Sequence, residues 1–182
     1  MRLAPQGWVE SPGLRRVPSP NRDERPAGSR ITLLLLHAIS LPPGEYGGDA
    51  IERLFTNRLD PQAHPYFAAI AGLEVSSHFL VRRDGALLQF VPVQERAWHA
   101  GASAWRGRAR CNDFSIGVEL EGSDDSVFED AQYASLRELV HVLRAALPLR
   151  DIAAHSEVAP GRKTDPGTHF DWARLLTALS SS

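Results

Sequence analysis

Runs of apolar residues, read together with the turn residues between them, predict five strands in this chain. They cover residues 31–37, 75–82, 86–91, 114–120 and 152–155. The first run is almost continuously apolar, which is typical of a strand buried on both faces, and it ends at His37. Asp84-Gly85 separates the second run from the third and favours a hairpin between them.

Apolar residues at helical spacing predict four helices, over residues 49–57, 65–71, 130–147 and from 171 onward. Asp130 and Asp171 are predicted as the N-caps of the last two helices. Strands that alternate irregularly with helices indicate an α/β fold. We therefore expect a single domain with one central mixed β-sheet flanked by helices.

The N-terminal part of the chain has a different character. Residues 15–29 are rich in Pro, Arg, Ser and Gly, which favours an extended surface segment. We therefore divide the chain into an N-terminal extended segment, residues 1–30, that packs on the domain formed by residues 31–182. The 182 residues, 43% hydrophobic and 23% charged, have the balance of one globular domain.

Charge and cysteine content exclude several classes of partner. A formal net charge of -2 provides no basic surface for nucleic acid or anionic lipid. Cys111 is the single cysteine, so no intramolecular disulfide can form, which suits a reducing compartment. Residues 1–10 lack the features of a secretory signal, and the longest apolar run, residues 33–36, is too short to span a bilayer. We expect a cytoplasmic protein with no membrane partner and no obligate protein partner.

The seven histidines differ in their settings. His37 and His155 each end a predicted strand and open onto a loop. His78 lies inside an apolar strand, where a hydrogen-bonded core histidine is the more frequent case. Three others are predicted to be ordinary surface or half-buried residues: His64, His141 and His169. His99 is considered below.

His37, His155 and Asp165 would form a set of three metal ligands that leaves a fourth position open, as catalytic zinc sites do. Their separation along the chain is not diagnostic, and ordinary loop residues remain an alternative on spacing alone. The sequence around the acid favours the metal site, because the turn at Pro166-Gly167 restricts the backbone next to Asp165.

Two carboxylates, Glu119 and Glu121, fall on one face of the same predicted strand. A carboxylate among Ile, Val and Leu is costly to bury unless it has a partner or a task. Glu119 is our candidate for the general base and Lys163 for the cation that stabilises an oxyanion. A structural ion pair between Glu119 and Lys163 is an equally compatible interpretation at this point.

Four blocks of sequence resemble the AmpD family of zinc N-acetylmuramoyl-L-alanine amidases, and the likeness runs from about Trp8 to Trp172. The blocks are residues 34–44, 96–101, 111–122 and 159–167. The resemblance implies that His37, His155 and Asp165 bind one zinc ion, that Glu119 is the base and that Lys163 stabilises the oxyanion. It also implies the fold shared by such amidases and peptidoglycan recognition proteins, and makes residues 31–182 the catalytic domain.

The implied reaction is hydrolysis of the amide bond between (1,6-anhydro)-N-acetylmuramic acid and L-alanine in muropeptides, during cytoplasmic peptidoglycan recycling. Trp98 and His99 are predicted to form a wall against the sugar, and Arg110 to contact the carboxylates of the peptide, although ordinary packing remains an alternative for Trp98. The chain departs from the family's pattern at Ala38, where Asn is usual, and at Glu74, where Arg is frequent. Both departures concern substrate affinity, not the reaction class.

Three other functions compete with this interpretation. A binding module without catalysis typically lacks a zinc ligand, whereas all three positions are filled here by competent residues. An envelope amidase would need export, which residues 1–10 do not indicate. A cysteine peptidase would need a motif that activates Cys111, and the surrounding sequence contains none.

Overall fold

The structure is a computed structural model that describes residues 1–180. Twelve strands are present in this part of the chain: β1 (Arg2–Leu3), β2 (Val9–Glu10), β3 (Arg15–Arg16), β4 (Arg22–Glu24), β5 (Leu33–Ile39), β6 (Phe79–Val81), β7 (Leu87–Gln89), β8 (Glu95–Ala97), β9 (Ala104–Trp105), β10 (Arg108–Ala109), β11 (Ser115–Glu121) and β12 (Asp151–Ala154). The α-helices are α1 (Ala50–Phe55), α2 (Pro65–Ala69), α3 (Asp130–Ala146), α4 (His155–Val158) and α5 (Trp172–Ser180), and a short 3₁₀ helix spans Cys111–Asp113.

A six-stranded sheet with the order β12-β5-β11-β6-β7-β3 forms the centre of the molecule. Strand β5 pairs in parallel with both β11 and β12, β11 pairs in parallel with β6, and β6 pairs antiparallel with β7. The sheet is therefore mixed and carries helices, as the sequence predicts. The hairpin at Asp84-Gly85 is also confirmed: the Gly85 N–H donates to the Arg82 carbonyl at 2.9 Å, and Gly85 has a φ of 83°.

The two faces of the central strands differ in chemistry because successive side chains of a strand alternate between faces. Leu34 and Leu36 of β5 belong to the buried cluster that includes the apolar stripe of α3 and Leu175 of α5. Leu33 and Leu35 face the opposite way, into a cluster with Ala153 and Val158. His37 follows on this second face. One face of the sheet thus packs on the helical core, whereas the other carries a smaller apolar cluster followed by His37.

Helices α1 and α2 close a further apolar cluster beside the sheet. Ile51, Leu54 and Phe55 of α1 and Phe67 of α2 pack against Leu80, Leu88 and Phe90. The rings of Phe55 and Phe90 meet edge to face, with centroids 5.0 Å apart. This cluster positions the two helices that flank one side of the site described below.

Several predicted boundaries are wrong by a few residues. His37 does not end its strand, because β5 continues to Ile39. Residues 75–78 do not continue β6, because Ser76 hydrogen-bonds to the Trp98 carbonyl and to the Asn21 carbonyl instead of to a strand. His155 begins α4 and is not the last residue of a strand. Helix α3 is capped by Glu129, not Asp130, since the Glu129 N–H donates to the side chain of Gln132 at 3.0 Å.

The predicted cap of the last helix is supported by the Arg174 N–H, which donates to the Asp171 carboxylate at 2.9 Å. The N-terminal residues contact the domain through β3, which pairs with β7, and β4, which pairs with β8. Ser19 and Asn21 are buried in these contacts. The division of the chain at residue 30 stays a prediction.

Among residues 1–180, no helix combines the length and the apolar character needed to cross a membrane.

Replacing Leu36 by alanine tests the importance of the helical core. Leu36 is fully buried in β5, directly before His37. We expect Leu36→Ala to lower the free energy of unfolding by about 2–5 kcal/mol, because it removes buried methyl groups and leaves a cavity. Leu176→Ala is the matched control: Leu176 is 44% exposed, and the expected change is within about 0.5 kcal/mol. Urea unfolding measures both, and equal losses would contradict the assigned core.

Candidate metal centre and active-site cavity

The structure brings the three predicted metal ligands together at one edge of the central sheet. His37 lies in β5, and His155 comes directly after β12. The two strands are parallel neighbours with Leu36 opposite Ala154, and the residue that follows each of these two is a histidine. Asp165 reaches the same point from the loop after α4. The Nδ1 atoms of His37 and His155 are 2.9 Å apart, and Asp165 Oδ2 is 3.3 Å from His37 Nδ1 and 3.1 Å from His155 Nδ1.

This triangle fits a zinc ion. Tetrahedral bonds of about 2.0–2.1 Å place neighbouring ligand atoms about 3.3 Å apart, close to the three distances observed here. Burial lowers the pKa of His37 to about 4, so its imidazole is neutral, as a metal ligand must be. Burial alone would raise the pKa of Asp165, but hydrogen bonds with His155 and His37 hold it well below its usual range. Two imidazoles and one carboxylate are a donor set that zinc favours.

The backbone around Asp165 is fixed from two sides. The Ser156 N–H donates to the Asp165 carbonyl at 3.1 Å, which ties the loop to α4. Gly167 has a φ of 85° and lies against the backbone of Asp124: a Cβ added there would be 2.4 Å from Asp124 Cα. Only glycine allows both features at this position. The Pro-Gly turn singled out in the sequence therefore packs directly on the loop that follows β11.

A second layer of hydrogen bonds surrounds the two histidines. His37 Nε2 is 2.9 Å from His99 Nδ1, and His155 Nε2 is 3.4 Å from the Ala100 carbonyl. The segment that carries these partners is itself held in place, because Asn112 Oδ1 accepts from the backbone N–H of Ala100 at 2.8 Å and Arg162 donates to the Ala100 carbonyl at 2.7 Å. Sequence analysis missed the role of Arg162, a long side chain whose two carbonyl partners come from a distant loop.

Glu119 lies beside the three ligands. The parallel register of β5 and β11 places it directly opposite His37, and its side chain is nearly buried. Burial raises the pKa of Glu119 well above its usual value, and the negative charge of Asp165 adds to this effect. The attraction of Lys163 opposes the rise without reversing it. A carboxyl group with a raised pKa can both accept and return a proton near neutral pH.

Glu121 shares a strand face with Glu119 but has a different environment. It is 2% exposed, accepts a hydrogen bond from Arg82 Nη1 at 2.8 Å and accepts another from the Gly47 N–H at 2.7 Å. Its charge is thus matched by Arg82, and it anchors the loop between β5 and α1. The sequence could not separate the two carboxylates, because they differ only in what the fold places next to them.

The ligands, Glu119 and Lys163 line one cavity of about 620 Å³. One wall is apolar and is formed by Leu54, Tyr66, Ile70, Leu73 and Trp98. The polar part of the lining includes Ser123, Asp124, Asp125, Arg162 and Thr164. Sequence analysis missed most of the apolar wall, since residues of α1 and α2 at helical spacing look the same whether they face a core or a cavity. A volume of this size suits a small ligand with an apolar face.

The predicted substrate contacts occupy different places. Trp98 lines the cavity, whereas His99 lines it and also bonds to His37. Arg110 is not among the lining residues; its side chain is mostly exposed and pairs with Asp113 at 3.2 Å. Ala38 lines the cavity next to His37, and Glu74 borders a smaller pocket beside Leu54 and Ile70. The contact of Arg110 with a peptide stays a prediction.

Two other residues considered in the sequence lie outside the cavity lining. His78 is fully buried, accepts from the Gly117 N–H through Nδ1 and contacts the Glu95 carbonyl through Nε2 at 3.1 Å. It is a hydrogen-bonded core residue. Cys111 is fully buried, and burial raises the pKa of its thiol, which is opposite to what a nucleophilic cysteine needs.

Comparisons with known proteins agree with this geometry. The sequence profile of N-acetylmuramoyl-L-alanine amidase matches residues 27–168. The chain is 54% identical over 180 residues to the 1,6-anhydro-N-acetylmuramyl-L-alanine amidase AmpD of Escherichia coli K12, covering 98% of this chain and 97% of that protein. A crystal structure of a selenomethionine derivative of AmpD superposes with a TM-score of 0.94 at 52% identity, over 98% of this chain and 99% of the other.

A more distant structure contains a bound molecule. The amidase AmiD from E. coli, in complex with the substrate anhydro-N-acetylmuramic acid-L-Ala-D-gamma-Glu-L-Lys, has a TM-score of 0.60 and 32% identity, over 85% of this chain and 60% of that one. Sequence profile, relatives and fold all agree with the geometry of the cavity. The chain therefore belongs to the N-acetylmuramoyl-L-alanine amidase family, which consists of hydrolases acting on an amide bond.

Proposed function

We propose that this protein uses one zinc ion to hydrolyse the amide bond between 1,6-anhydro-N-acetylmuramic acid and L-alanine in muropeptides, as part of cytoplasmic peptidoglycan recycling. The observation that carries the proposal is the convergence of His37, His155 and Asp165 beside a buried carboxyl group in a cavity of substrate size. The substrate is inferred from relatives named as anhydromuramyl amidases, which match nearly the whole chain.

The two histidines and the aspartate would hold the metal through His37 Nδ1, His155 Nδ1 and Asp165 Oδ2. A zinc ion bound there would polarise the scissile carbonyl and lower the pKa of a coordinated water from about 15.7 toward about 7. The side chains around it have separate tasks, which follow from their positions.

Glu119 takes the proton from the attacking water. Its carboxyl group is opposite His37 and has a raised pKa, so it can hold the proton until the next step. The same proton then passes to the nitrogen of L-alanine as the carbon-nitrogen bond breaks, which allows the amine to leave. One carboxyl group thus serves as base and as acid in turn.

Lys163 stabilises the negative charge that develops on the lactyl carbonyl oxygen. It is exposed and lines the cavity on the same loop as Asp165, so its ammonium group can reach the reacting carbonyl without being trapped in a buried ion pair. A positioned cation of this kind lowers the energy of the tetrahedral state more than that of the ground state.

The cavity supports a compact substrate. Trp98 and the apolar residues of α1 and α2 form a wall that suits the bicyclic anhydro-sugar. The AmiD complex contains an anhydromuramyl tripeptide, which is consistent with a ligand of this class in the family's cavity. We propose that the stem peptide extends toward the polar side, where Arg110 would be a more remote contact. The cytoplasmic setting rests on the single buried cysteine and on this small substrate.

Metal analysis is the first test. Protein purified without chelators should contain about one zinc per chain, and Asp165→Ala should lose most of it because one of three protein ligands is removed. Asp60→Ala is the matched control, since Asp60 is exposed and far from the ligands in the sequence, and should keep full occupancy. Elemental analysis by mass spectrometry measures all three proteins. Full zinc occupancy in Asp165→Ala would show that the ligand set is wrong.

The assignment of the base is tested by paired substitutions on one strand. Glu119→Gln should keep the metal and the fold but reduce kcat by roughly 10²–10⁴, the usual contribution of a positioned acid or base. Glu121→Gln should destabilise the protein, because Arg82 loses its charged partner, while turnover of the folded protein is preserved. Steady-state kinetics, measured below the melting temperatures of both variants, shows which of the two carboxylates is needed for turnover. Equal losses of kcat would mean that Glu119 is not the base.

The choice of sugar is tested with two substrates that carry the same peptide. We expect kcat/KM to be at least about tenfold higher for the anhydromuramyl peptide than for the peptide on ordinary N-acetylmuramic acid, a difference of about 1.4 kcal/mol in transition-state binding. Intact sacculi should release little peptide, because an extended glycan does not fit a compact cavity. Equal rates on both sugars, or ready release from sacculi, would point to wall remodelling and leave the hydrolytic site unchanged.

A further inference from the structure

His99 contacts the candidate metal ligand His37 on the side of the ring away from the other two ligands. Its Nδ1 atom is 2.9 Å from His37 Nε2, and its Nε2 atom is 3.3 Å from Ser115 Oγ, a hydroxyl that is fully buried. The rings of His99 and His37 also form a T-shaped contact, with centroids 5.0 Å apart. Both nitrogens of His99 therefore have a protein partner.

The neighbouring strand is shaped to receive this ring. Gly117 of β11 lies against His99 so closely that an added Cβ would be 2.6 Å from both Cγ and Nδ1 of the ring. The Gly117 φ is not in the left-handed region, so its backbone does not require glycine. What requires glycine is the approach of the His99 ring, which any larger residue would displace from His37.

His37, His99 and Ser115 form a hydrogen-bonded series in which each ring proton has one position. If His37 binds the metal through Nδ1, its single proton is on Nε2, where it is donated to His99 Nδ1. His99 must then carry its own proton on Nε2, where Ser115 Oγ accepts it. The reverse arrangement would place two N–H groups or two lone pairs face to face at 2.9 Å.

We propose that His99 is a positioning residue: it accepts the Nε2 proton of His37 and so fixes the tautomer and ring orientation in which His37 binds zinc through Nδ1. This inference rests on the proposed zinc site. Partners of this kind behind a ligand histidine typically contribute about 10–100-fold to metal affinity. A wall against the sugar, the role expected from the sequence, needs none of these contacts.

Two substitutions at His99 separate positioning from packing, because they change the two properties in opposite directions. His99→Phe keeps a ring against Gly117 but cannot accept the proton of His37. His99→Asn loses the ring, yet its Oδ1 can occupy the place of Nδ1 and accept that proton. Positioning predicts that His99→Phe raises the zinc Kd by about 10–100-fold and that His99→Asn stays within about threefold of the unsubstituted protein. Packing predicts the reverse order.

Zinc affinity is measured by competition with a chromophoric chelator, and the melting temperature of each metal-free protein reports folding. His64→Phe is a control, since His64 caps α2 at the surface and should leave the Kd unchanged. An unchanged Kd in His99→Phe, or a greater loss in His99→Asn than in His99→Phe, would overturn the proposal. If the unsubstituted protein itself bound no zinc, the proposed function would fail instead, so the two failures are distinguishable.

A measurement on the unsubstituted protein keeps the proposal testable if His99→Phe does not fold. Long-range ¹H–¹⁵N spectra of the zinc-loaded protein identify which ring nitrogen of each histidine is protonated. We expect His37 and His99 both to be protonated at Nε2, with the His37 proton protected from exchange. A proton on His99 Nδ1 would exclude it as the acceptor and contradict the proposal.

Discussion

The parallel pairing of β5 with both of its neighbours is the constraint on which the site depends. Because β5 and β12 are parallel and in register, the residues that follow Leu36 and Ala154 emerge at the same edge of the sheet. Pairing with β11 places Glu119 opposite His37 in the same way. A shift of one residue in either pairing would turn the affected side chains to the other face. The relative positions of the candidate metal ligands and of the proposed base thus follow from strand register.

The second constraint is that the two faces of β11 carry different kinds of side chain. Ile116, Val118 and Leu120 of β11 join the helical core on one face. The alternating residues Ser115, Gly117 and Glu119 face the site, where polar groups are buried at a cost that hydrogen bonds must offset. The contacts of His99 with Ser115 and of His78 with Gly117 meet this requirement. The hydrogen bond between His99 and Ser115 also holds the ring that contacts His37, a candidate metal ligand.

Loops complete the site by close contacts that leave little freedom. Gly167 against Asp124 fixes the turn beside Asp165, and Arg162 joins that loop to the Ala100 carbonyl. Glu121, bound to Arg82 and to the Gly47 N–H, holds the loop after β5. The apolar wall of the cavity comes from α1 and α2, which are positioned by their own cluster. Each of these loops is thus held by a polar contact or by the close approach of a glycine.

The sequence by itself determined the mixed α/β fold, the hairpin, most helices and the three residues that converge at the candidate metal centre. Apolar periodicity, turn residues and side-chain chemistry are local features that can be identified in the sequence. Only the tertiary structure decided which of Glu119 and Glu121 faces the cavity, that His99 stands behind His37, and that Arg110 lies apart from the cavity lining. Such differences arise from strand register and from contacts between residues far apart in the chain. Local sequence patterns contain no information on either.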